Sequence, residues 1–196
     1  MAQISTAQIQ ELRAKTGVSI MDCKRALEEA RGDLAQAETI LRKKGASVAE
    51  KKSARETQNG IVTSYIHSNN RVGVLLDLRC ETDFVARNEE FKNLAHELCM
   101  HIAAMNPRYI AAEDIPQDVA DAERGIYTAQ FADSTKPRDV LAKILEGKMK
   151  KFAAEQCLLL QPFVKDDSLT IGELITNAIA KLGENIKIAA FCRYEI

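Results

Sequence analysis

The stretch of sequence that decides the fold runs from residue 5 to residue 45 and reads STAQIQELRAKTGVSIMDCKRALEEARGDLAQAETILRKKG. The signals that start and stop a helix occur three times in it. Each start is a small polar side chain that can accept a hydrogen bond from the first turn, and each stop is a glycine, which tolerates a left-handed conformation. The stretch therefore predicts three short helices, with starts and stops at Ser5 and Gly17, Ser19 and Gly32, and Asp33 and Gly45.

Each of these predicted helices carries one apolar stripe. The apolar residues recur three and four positions apart, which places them on one face of a helix. Three such stripes can bury one another in a single small core. The stripe residues are Ile9, Leu12, Met21, Ala26, Leu27, Leu34, Ala37, Ile40 and Leu41.

A second module follows a predicted linker. Residues 46–59 are rich in Ala, Lys, Glu and Arg and predict a mostly solvated helix. The pattern changes at Gly60, because residues 61–67 and 72–78 are β-branched and apolar around a polar turn at 68–71. That arrangement predicts a β-hairpin.

Helices and one more strand complete this module. Helical spacing and capping signals predict helices from about Asn88 to Met105, after Pro116, and from Pro137 through Phe152. A capping box at Thr170 and Glu173 predicts a helix that ends near Gly183, and residues 185–194 read as a strand. We therefore expect an α+β fold, with a three-helix domain at 1–55 and, at 56–196, a core domain whose small antiparallel sheet packs with helices.

Composition restricts the class of protein. The chain has 196 residues, of which 46% are hydrophobic and 28% are charged, and a formal net charge of -1. Nucleic-acid binding depends on clustered Lys and Arg, and a membrane-spanning helix needs about 18 consecutive apolar residues. The near-neutral charge argues against a dedicated nucleic-acid binder, and the basic runs at 42–44 and 148–151 are interpreted as solvated helix faces. No apolar stretch of that length is present, and five scattered cysteines indicate reduced thiols. We expect a cytoplasmic protein that binds neither nucleic acid nor a membrane.

No catalytic constellation is recognisable. The histidines His67, His96 and His101 have no partners in the sequence, and we expect them at the surface or half-buried. Cys80 and Cys99 lack a neighbouring base and are interpreted as small buried hydrophobic residues. No glycine-rich phosphate loop is present. The sequence predicts no covalent catalysis, no metal and no cofactor.

Asp83 and Phe84 form the most suggestive local feature. A charge stands beside a large aromatic ring in the connection between a predicted strand and a predicted helix. Loops on rigid supports carry function, but an isolated Phe is more often a core anchor, and an Asp a turn or cap residue. From the residues alone both interpretations stay open, and the core role is favoured.

Three motifs resemble signatures of the elongation factor Ts family. Residues 12–27 (LRAKTGVSIMDCKRAL) resemble the amino-terminal signature, and residues 81–88 (ETDFVARN) resemble the second. Residues 146–152 (EGKMKKF), followed by 161–164 (QPFV), resemble the third. Together these motifs extend over most of the chain.

The resemblance implies a function. It implies a ubiquitin-associated-like domain in the three amino-terminal helices and a partner, the GTPase elongation factor Tu, from which the protein releases GDP during translation elongation. By the same resemblance, four residues enter the partner's nucleotide domain and help to displace magnesium, and they are Thr82, Asp83, Phe84 and Val85. Contacts from the amino-terminal domain are implied for Arg13, Thr16, Gly17, Met21, Asp22 and Lys24.

The length of the chain predicts a homodimer. There is room for one core unit, whereas longer family members carry a duplicated core, a protruding coiled coil and a carboxy-terminal extension. We expect two chains to pair and to bind two GTPase molecules, through an unpaired edge of the last predicted strand. The predicted dimer interface contains Phe191 and Cys192.

Two other classes of function stay open beside this one. The three-helix domain could serve a peptide-binding or ubiquitin-like-binding adaptor, which would leave Asp83 and Phe84 without a role. A cysteine could serve a thiol-dependent enzyme, whose activity thiol alkylation would abolish.

Overall fold

The computed structural model describes residues 4–131 and 136–196. Within them, three helices precede a mixed domain of strands and helices, so the predicted α+β fold is confirmed. The helices are α1 (Thr6–Thr16), α2 (Ile20–Glu29), α3 (Leu34–Lys52), α4 (Asp83–Ala86), α5 (Glu89–Met105), α6 (Gln117–Ala129), α7 (Arg138–Gln156) and α8 (Ile171–Leu182). The strands are β1 (Asn59–Ile66), β2 (Val72–Cys80), β3 (Pro162–Phe163), β4 (Asp166–Thr170) and β5 (Lys187–Glu195).

The first three helices begin at their predicted caps. The side chains of Ser5, Ser19 and Asp33 each accept a hydrogen bond from the backbone N–H three residues later. At Ser5 the bond is reciprocal, because its own backbone N–H donates to the Gln8 side chain at 3.0 Å. These bonds satisfy donors that a helix start otherwise leaves without a partner.

The three helices share one core, as the stripes predict, with one exception. The buried residues of this core are Leu12, Cys23, Ala26, Leu27, Ala30, Ala37 and Leu41. Met21 was expected in the stripe, but its side chain is 57% exposed. The buried face of α2 is formed by Cys23, Ala26 and Leu27, and 100° steps along a helix turn Met21 away from it.

A three-stranded antiparallel sheet forms the centre of the second domain. Its order is β1-β2-β5, so the last strand pairs with the middle strand and lies at an edge among the described residues. The side chains of Val74, Leu76 and Leu78 on β2 are buried on one face, where α5 packs. The predicted hairpin and terminal strand are confirmed.

The predicted end of the third helix at Gly45 is wrong, because α3 continues to Lys52. Gly45 is buried against α8, and a Cβ atom at this position would lie 3.4 Å from the Cβ of Ala180. Glycine here permits close helix packing rather than a helix stop. Residues 46–52 are also more than a solvated linker, since Ala49 packs against the core of the second domain.

Helices α6 and α7 pair with each other, and neither contains a fully buried residue. The ammonium group of Lys148 lies 4.9 Å from the ring centre of Tyr127 and 5.3 Å from that of Phe131. A helical pair of this kind had been expected only in longer relatives. Between α6 and α7, residues 132–135 lie outside the described residues.

Three short elements, α4, β3 and β4, were not predicted. The turn α4 was read as a plain connection, because four residues are too few for a helical period. The pair of β3 and β4 was missed because Pro162 and a polar run obscure the alternation. In the described ranges, no helix has both the length and the apolar character needed to cross a membrane.

His101 is fully buried, which contradicts the expectation of a surface or half-buried residue. Its Nδ1 accepts from the Val164 backbone N–H at 3.3 Å, so its Nε2–H donates to the Gln161 side-chain oxygen at 3.0 Å. The Gln161 amide donates in turn to the Glu155 backbone oxygen at 2.8 Å. Burial lowers the pKa of His101, and the bond to Gln161 opposes that shift.

Acid should weaken the fold through His101. The unfolded chain binds a proton here with the ordinary histidine pKa of 6.5, whereas the buried imidazole resists protonation. Below that pH the unfolded state binds more protons, so the free energy of unfolding falls until the lowered folded-state pKa is reached. One such group gives a slope of at most about 1.4 kcal/mol per pH unit, which urea unfolding at a series of pH values measures.

The variant His101→Gln should lose this part of the slope, because glutamine does not titrate. An equal slope in His101→Gln and in the unaltered chain would contradict the assignment of the pH dependence to His101.

Substitution by leucine should have opposite effects at two helical glycines, Gly45 in the contact of α3 with α8 and Gly147 in α7. Gly45→Leu should destabilise the chain by about 1–3 kcal/mol, because the larger side chain overpacks the contact with Ala180. Gly147→Leu in α7 should stabilise it by about 0.5–1 kcal/mol through helix propensity, because no atom lies within 4 Å of a Cβ there. Urea unfolding measures both, and a stable Gly45→Leu variant would contradict the proposed packing.

Candidate functional site

The connection between β2 and α5 holds Phe84 in solvent. Phe84 lies in the single helical turn α4, and its side chain is 84% exposed. On the inner side of the turn, Ala86 is buried and Val85 packs against the main core. The interpretation of Phe84 as a core anchor is therefore wrong, and its ring is available to another molecule.

Thr82 caps this turn through hydrogen bonds on both sides of its hydroxyl. The hydroxyl oxygen accepts from the Val85 N–H at 3.4 Å, and the O–H donates to the Glu184 carboxylate at 2.6 Å. The second oxygen of Glu184 accepts from the backbone N–H groups of Glu81 and Thr82 at 3.1 and 3.0 Å. Because a four-residue helix is not stable alone, these bonds and the buried side of the turn hold its shape.

A second group of bonds anchors the residues around this cap. The backbone N–H of Asn185 donates to the Glu81 carboxylate at 2.7 Å. The buried side chain of Asn185 donates to the backbone oxygens of Ser53 and Arg55 at 3.3 and 2.8 Å. The bond from Asn185 lowers the pKa of Glu81, with further help from the Arg55 guanidinium. Glu81 therefore stays ionised and joins the connection after β2 to the connection between α8 and β5.

Sequence reasoning missed Glu184 and Asn185. Residues 183–185 carry only the signals of a helix stop and a strand start. The partners of Glu184 lie 102 and 103 positions earlier in the chain and those of the Asn185 side chain lie 130 and 132 positions earlier, and no local pattern indicates such contacts. The only hint in the sequence was the carboxylate of Glu184 directly after the glycine that stops the predicted helix.

Asp83 is held only loosely. Its carboxylate lies 2.9 Å from the guanidinium of Arg87, and both side chains are exposed. An exposed pair of this kind contributes at most about 1 kcal/mol. Asp83 can therefore leave Arg87 for another partner at little cost.

The candidate residues of the amino-terminal domain lie around the end of α1 and the start of α2. Thr16 donates its hydroxyl hydrogen to the Leu12 backbone oxygen at 2.8 Å, and Gly17 ends the helix with a φ of 65°. Arg13 is exposed in the last turn of α1. The residues at the start of α2 continue the same corner.

On α2, an apolar pair and a charged group share the first turns. Ile20 and Met21 are both more than half exposed. Asp22 pairs with Lys44 of α3 and accepts from the Ser19 hydroxyl at 2.7 Å, and the bond to Lys44 is the main cause of its lowered pKa. Lys24 is exposed and lies 3.8 Å from Glu28. The exposed apolar side chains make this corner a candidate contact surface.

Lys181 of α8 connects the two groups of candidate residues. Its aliphatic chain lies against Gly17, where a Cβ atom would approach it to 3.0 Å. Its ammonium group lies 2.7 Å from Glu90, in the first turn of the helix that follows α4. Thr16, Glu90 and Lys181 line a common cleft of about 280 Å³. The structure thus brings the corner of α1 and α2 close to the start of α5.

The cysteines and acidic groups do not form a reactive centre in the described part of the chain. Burial raises the pKa of Cys80 and of Cys99 to about 11, and Glu184 adds to the shift at Cys80. Both thiols are therefore protonated at neutral pH and are poor nucleophiles. Within residues 4–131 and 136–196, no three His, Cys, Asp or Glu side chains lie close enough together to hold a metal ion.

The sheet has an open face opposite α5. Leu75 on the middle strand is 47% exposed, and it pairs with Cys192 of β5. Val62, Ile66 and Tyr194 are each at least 60% exposed and alternate with residues of the core face. We call these five residues the open sheet face. Phe191 lies on the opposite side and packs against the core, so the structure separates the two residues predicted for the dimer interface.

Comparison with known proteins places this architecture in a family. Residues 6–196 match the family model described as Elongation factor TS. The chain is 50% identical to Elongation factor Ts of Fervidobacterium nodosum, over 99% of this chain and 98% of that protein. It is 51% identical to the Elongation factor Ts of Thermotoga maritima, over 99% and 96%, and 50% identical to that of Koribacter versatilis, over 98% and 88%. The chain therefore belongs to the elongation factor Ts family.

Proposed function

We propose that the protein is a guanine nucleotide exchange factor for elongation factor Tu and acts in translation elongation in the cytoplasm. The observation that carries this proposal is the presentation of Phe84, 84% exposed, on an anchored turn within the family's second signature. A solvent-exposed aromatic ring on a fixed support is the kind of group that fills a pocket on a partner.

The proposed mechanism needs no covalent step. Bound GDP depends on magnesium and on backbone amides placed around its phosphates. Asp83 and Phe84 enter the partner's nucleotide domain and move these groups, while Thr82 and Val85 support the turn. The weakly held Asp83 carboxylate can accept a hydrogen bond from the partner once it leaves Arg87. The protein accelerates exchange by binding and is not an enzyme.

Thermodynamic linkage sets a condition on this mechanism. A factor that lowers the partner's affinity for GDP must have its own affinity lowered by GDP to the same extent. The same complex then binds GTP, and the factor leaves. Because the factor is released unchanged, it turns over without a cofactor.

The amino-terminal corner supplies docking in this proposal. Met21 offers an exposed apolar side chain, and Arg13 and Lys24 offer exposed charges. Lys181 links this corner to the start of α5, the helix that follows the turn of Phe84. Docking through the corner would place Phe84 against the nucleotide domain with little further loss of freedom.

We also propose a homodimer that binds two GTPase molecules through the open sheet face. This face carries several exposed apolar side chains beside the Asp77–Arg79 ion pair, and no layer of the described residues covers it. Exposed apolar side chains of this kind are a liability in a monomer, and a second copy of the same face covers them with two-fold symmetry. Cys192 then faces the partner copy, whereas Phe191 stays in its own core. The unpaired backbone edge of β5 offers a second surface through which the same two chains can contact each other.

The adaptor hypothesis predicts a different outcome. It uses the three-helix domain alone and gives Phe84 no role. The hydrogen bonds that Glu184 makes to Thr82 favour the exchange hypothesis, because a loop without a role in binding would not need its conformation fixed in this way. Release of labelled GDP from elongation factor Tu, measured with and without the protein, separates the two.

Phe84→Ala should slow stimulated GDP release by at least about tenfold, since an anchoring aromatic group at an interface contributes about 2 kcal/mol or more. The free energy of unfolding should change by less than about 0.5 kcal/mol, because the ring is exposed. Stopped-flow release of fluorescent GDP and urea unfolding measure the two effects on one preparation.

Two controls define the result. Phe91→Ala removes a ring that is fully buried and should cost about 3–5 kcal/mol of stability. Ile126→Ala removes an exposed apolar side chain on α6 and should change neither quantity. A stability loss in Phe84→Ala as large as that in Phe91→Ala would show a core role and contradict the proposal.

Leu75→Asp should convert the proposed dimer into a monomer. A carboxylate buried without a partner costs about 3–5 kcal/mol, so the dissociation constant should rise at least about a hundredfold. Sedimentation equilibrium over a range of concentrations measures it. Ile126→Asp places the same charge at an exposed apolar site outside the open sheet face and should remain dimeric.

A disulfide between Cys192 and its symmetry-related copy, which mild oxidation could form, is not needed for this pairing. Cys192→Ser should stay dimeric under reducing conditions, because burial of the open sheet face supplies the association. If the unaltered chain sediments as a monomer at every concentration and still releases GDP at its full rate, the proposed dimer is wrong.

A further inference from the structure

We propose that Glu184 is a positioning residue for nucleotide exchange, which fixes the turn that presents Asp83 and Phe84. This inference rests on the proposed function of that turn. Glu184 lies between α8 and β5 and does not belong to the sequence signature around Phe84. Its role follows from where its carboxylate binds.

One carboxylate satisfies three donors at the base of the turn. Two are the backbone N–H groups of Glu81 and Thr82, at 3.1 and 3.0 Å, and the third is the Thr82 hydroxyl, at 2.6 Å. An ionised carboxylate only accepts hydrogen bonds. It therefore obliges the Thr82 hydroxyl to donate to Glu184, which leaves an oxygen lone pair for the Val85 N–H.

This orientation matters because Phe84 has no support of its own. Its ring is exposed, so the direction of the side chain depends on the conformation of α4. A turn of four residues needs external bonds to persist. A disordered turn would have to order on binding, and that cost would reduce the free energy available to displace the nucleotide.

The position of Glu184 is itself fixed on both sides. Gly183 ends α8 in the left-handed region with a φ of 76°, which directs the chain towards the base of the turn. Asn185 is buried and bonds to the backbone oxygens of Ser53 and Arg55. The backbone that carries the Glu184 side chain is thus held by the scaffold rather than by the turn that the carboxylate supports.

Glutamine is the informative replacement. Glu184→Gln keeps the size of the side chain but has one acceptor oxygen and one NH₂ donor group. If its oxygen faces the two backbone donors, its NH₂ group faces the Thr82 hydroxyl and reverses that bond. The Thr82 O–H then loses its charged acceptor, and its oxygen has to accept from the new NH₂ group as well as from the Val85 N–H, so the turn loosens while the core remains intact.

The test compares Glu184→Gln, Phe84→Ala and the double variant in stopped-flow release of fluorescent GDP from elongation factor Tu. Glu184→Gln should slow release by about tenfold at subsaturating factor, the size expected for lost hydrogen bonds to a charged group. The double variant should be no more than about twofold slower than Phe84→Ala alone, because both changes act through one ring. A purely structural role predicts that the two losses multiply.

Asp166→Asn is the matched control. The Asp166 carboxylate also accepts from a backbone N–H and a hydroxyl, both of Ser168, at 3.1 and 2.6 Å. It is the first residue of β4, and its substitution should leave GDP release within about twofold of the unaltered chain. A loss in this variant equal to that in Glu184→Gln would overturn the specific role of Glu184.

Hydrogen exchange on the full chain gives a second readout that needs no GTPase. In Glu184→Gln the amides of Glu81, Thr82 and Val85 should exchange faster, while those of α8 keep their protection. Unchanged protection of these three amides would overturn the inference. Full activity of Phe84→Ala would overturn the proposed role of the turn, whereas a loss in Phe84→Ala with none in Glu184→Gln would overturn the role of Glu184 alone.

Discussion

The close packing of α8 against α3 is the contact on which the rest of the structure depends. Gly45 lets the two helix axes approach, with Ala180 on the other side. At the start of α8, the side chain of Glu173 bonds to the Thr170 N–H at 2.9 Å and also pairs with Arg42 of α3. At its end, Lys181 reaches the corner of α1 and α2. One helix thus joins the amino-terminal domain to the candidate site.

This arrangement explains why an exposed aromatic ring can be tolerated and used. The ring of Phe84 is exposed, so its position depends on the half-buried polar groups that hold the turn. The residue after α8 supplies the carboxylate, and the next residue supplies amide bonds to the segment after α3. The candidate surface and the packing of the two domains are therefore parts of one connected set of bonds.

The sequence predicted what depends on local chemistry. Caps at Ser5, Ser19 and Asp33, the hairpin and the terminal strand follow from residues within a few positions of one another, and all are confirmed. Gly45 was misread, because a glycine that stops a helix and a glycine that permits close packing look alike in sequence. The burial of His101 and the bonds of Glu184 depend on contacts distant in sequence, which no local pattern contains.

The continuity of α3 also constrains how the length of the chain can change. Leu41 belongs to the core of the amino-terminal domain, and Ala49, on the same helix, packs against the core of the second. A single residue inserted between them would rotate one domain against the other by about 100° and shift it by about 1.5 Å. The effect of an insertion or deletion in this segment therefore depends on its length. Four residues add little more than one full helical turn and nearly restore the relative orientation of the two cores, whereas one or two residues do not.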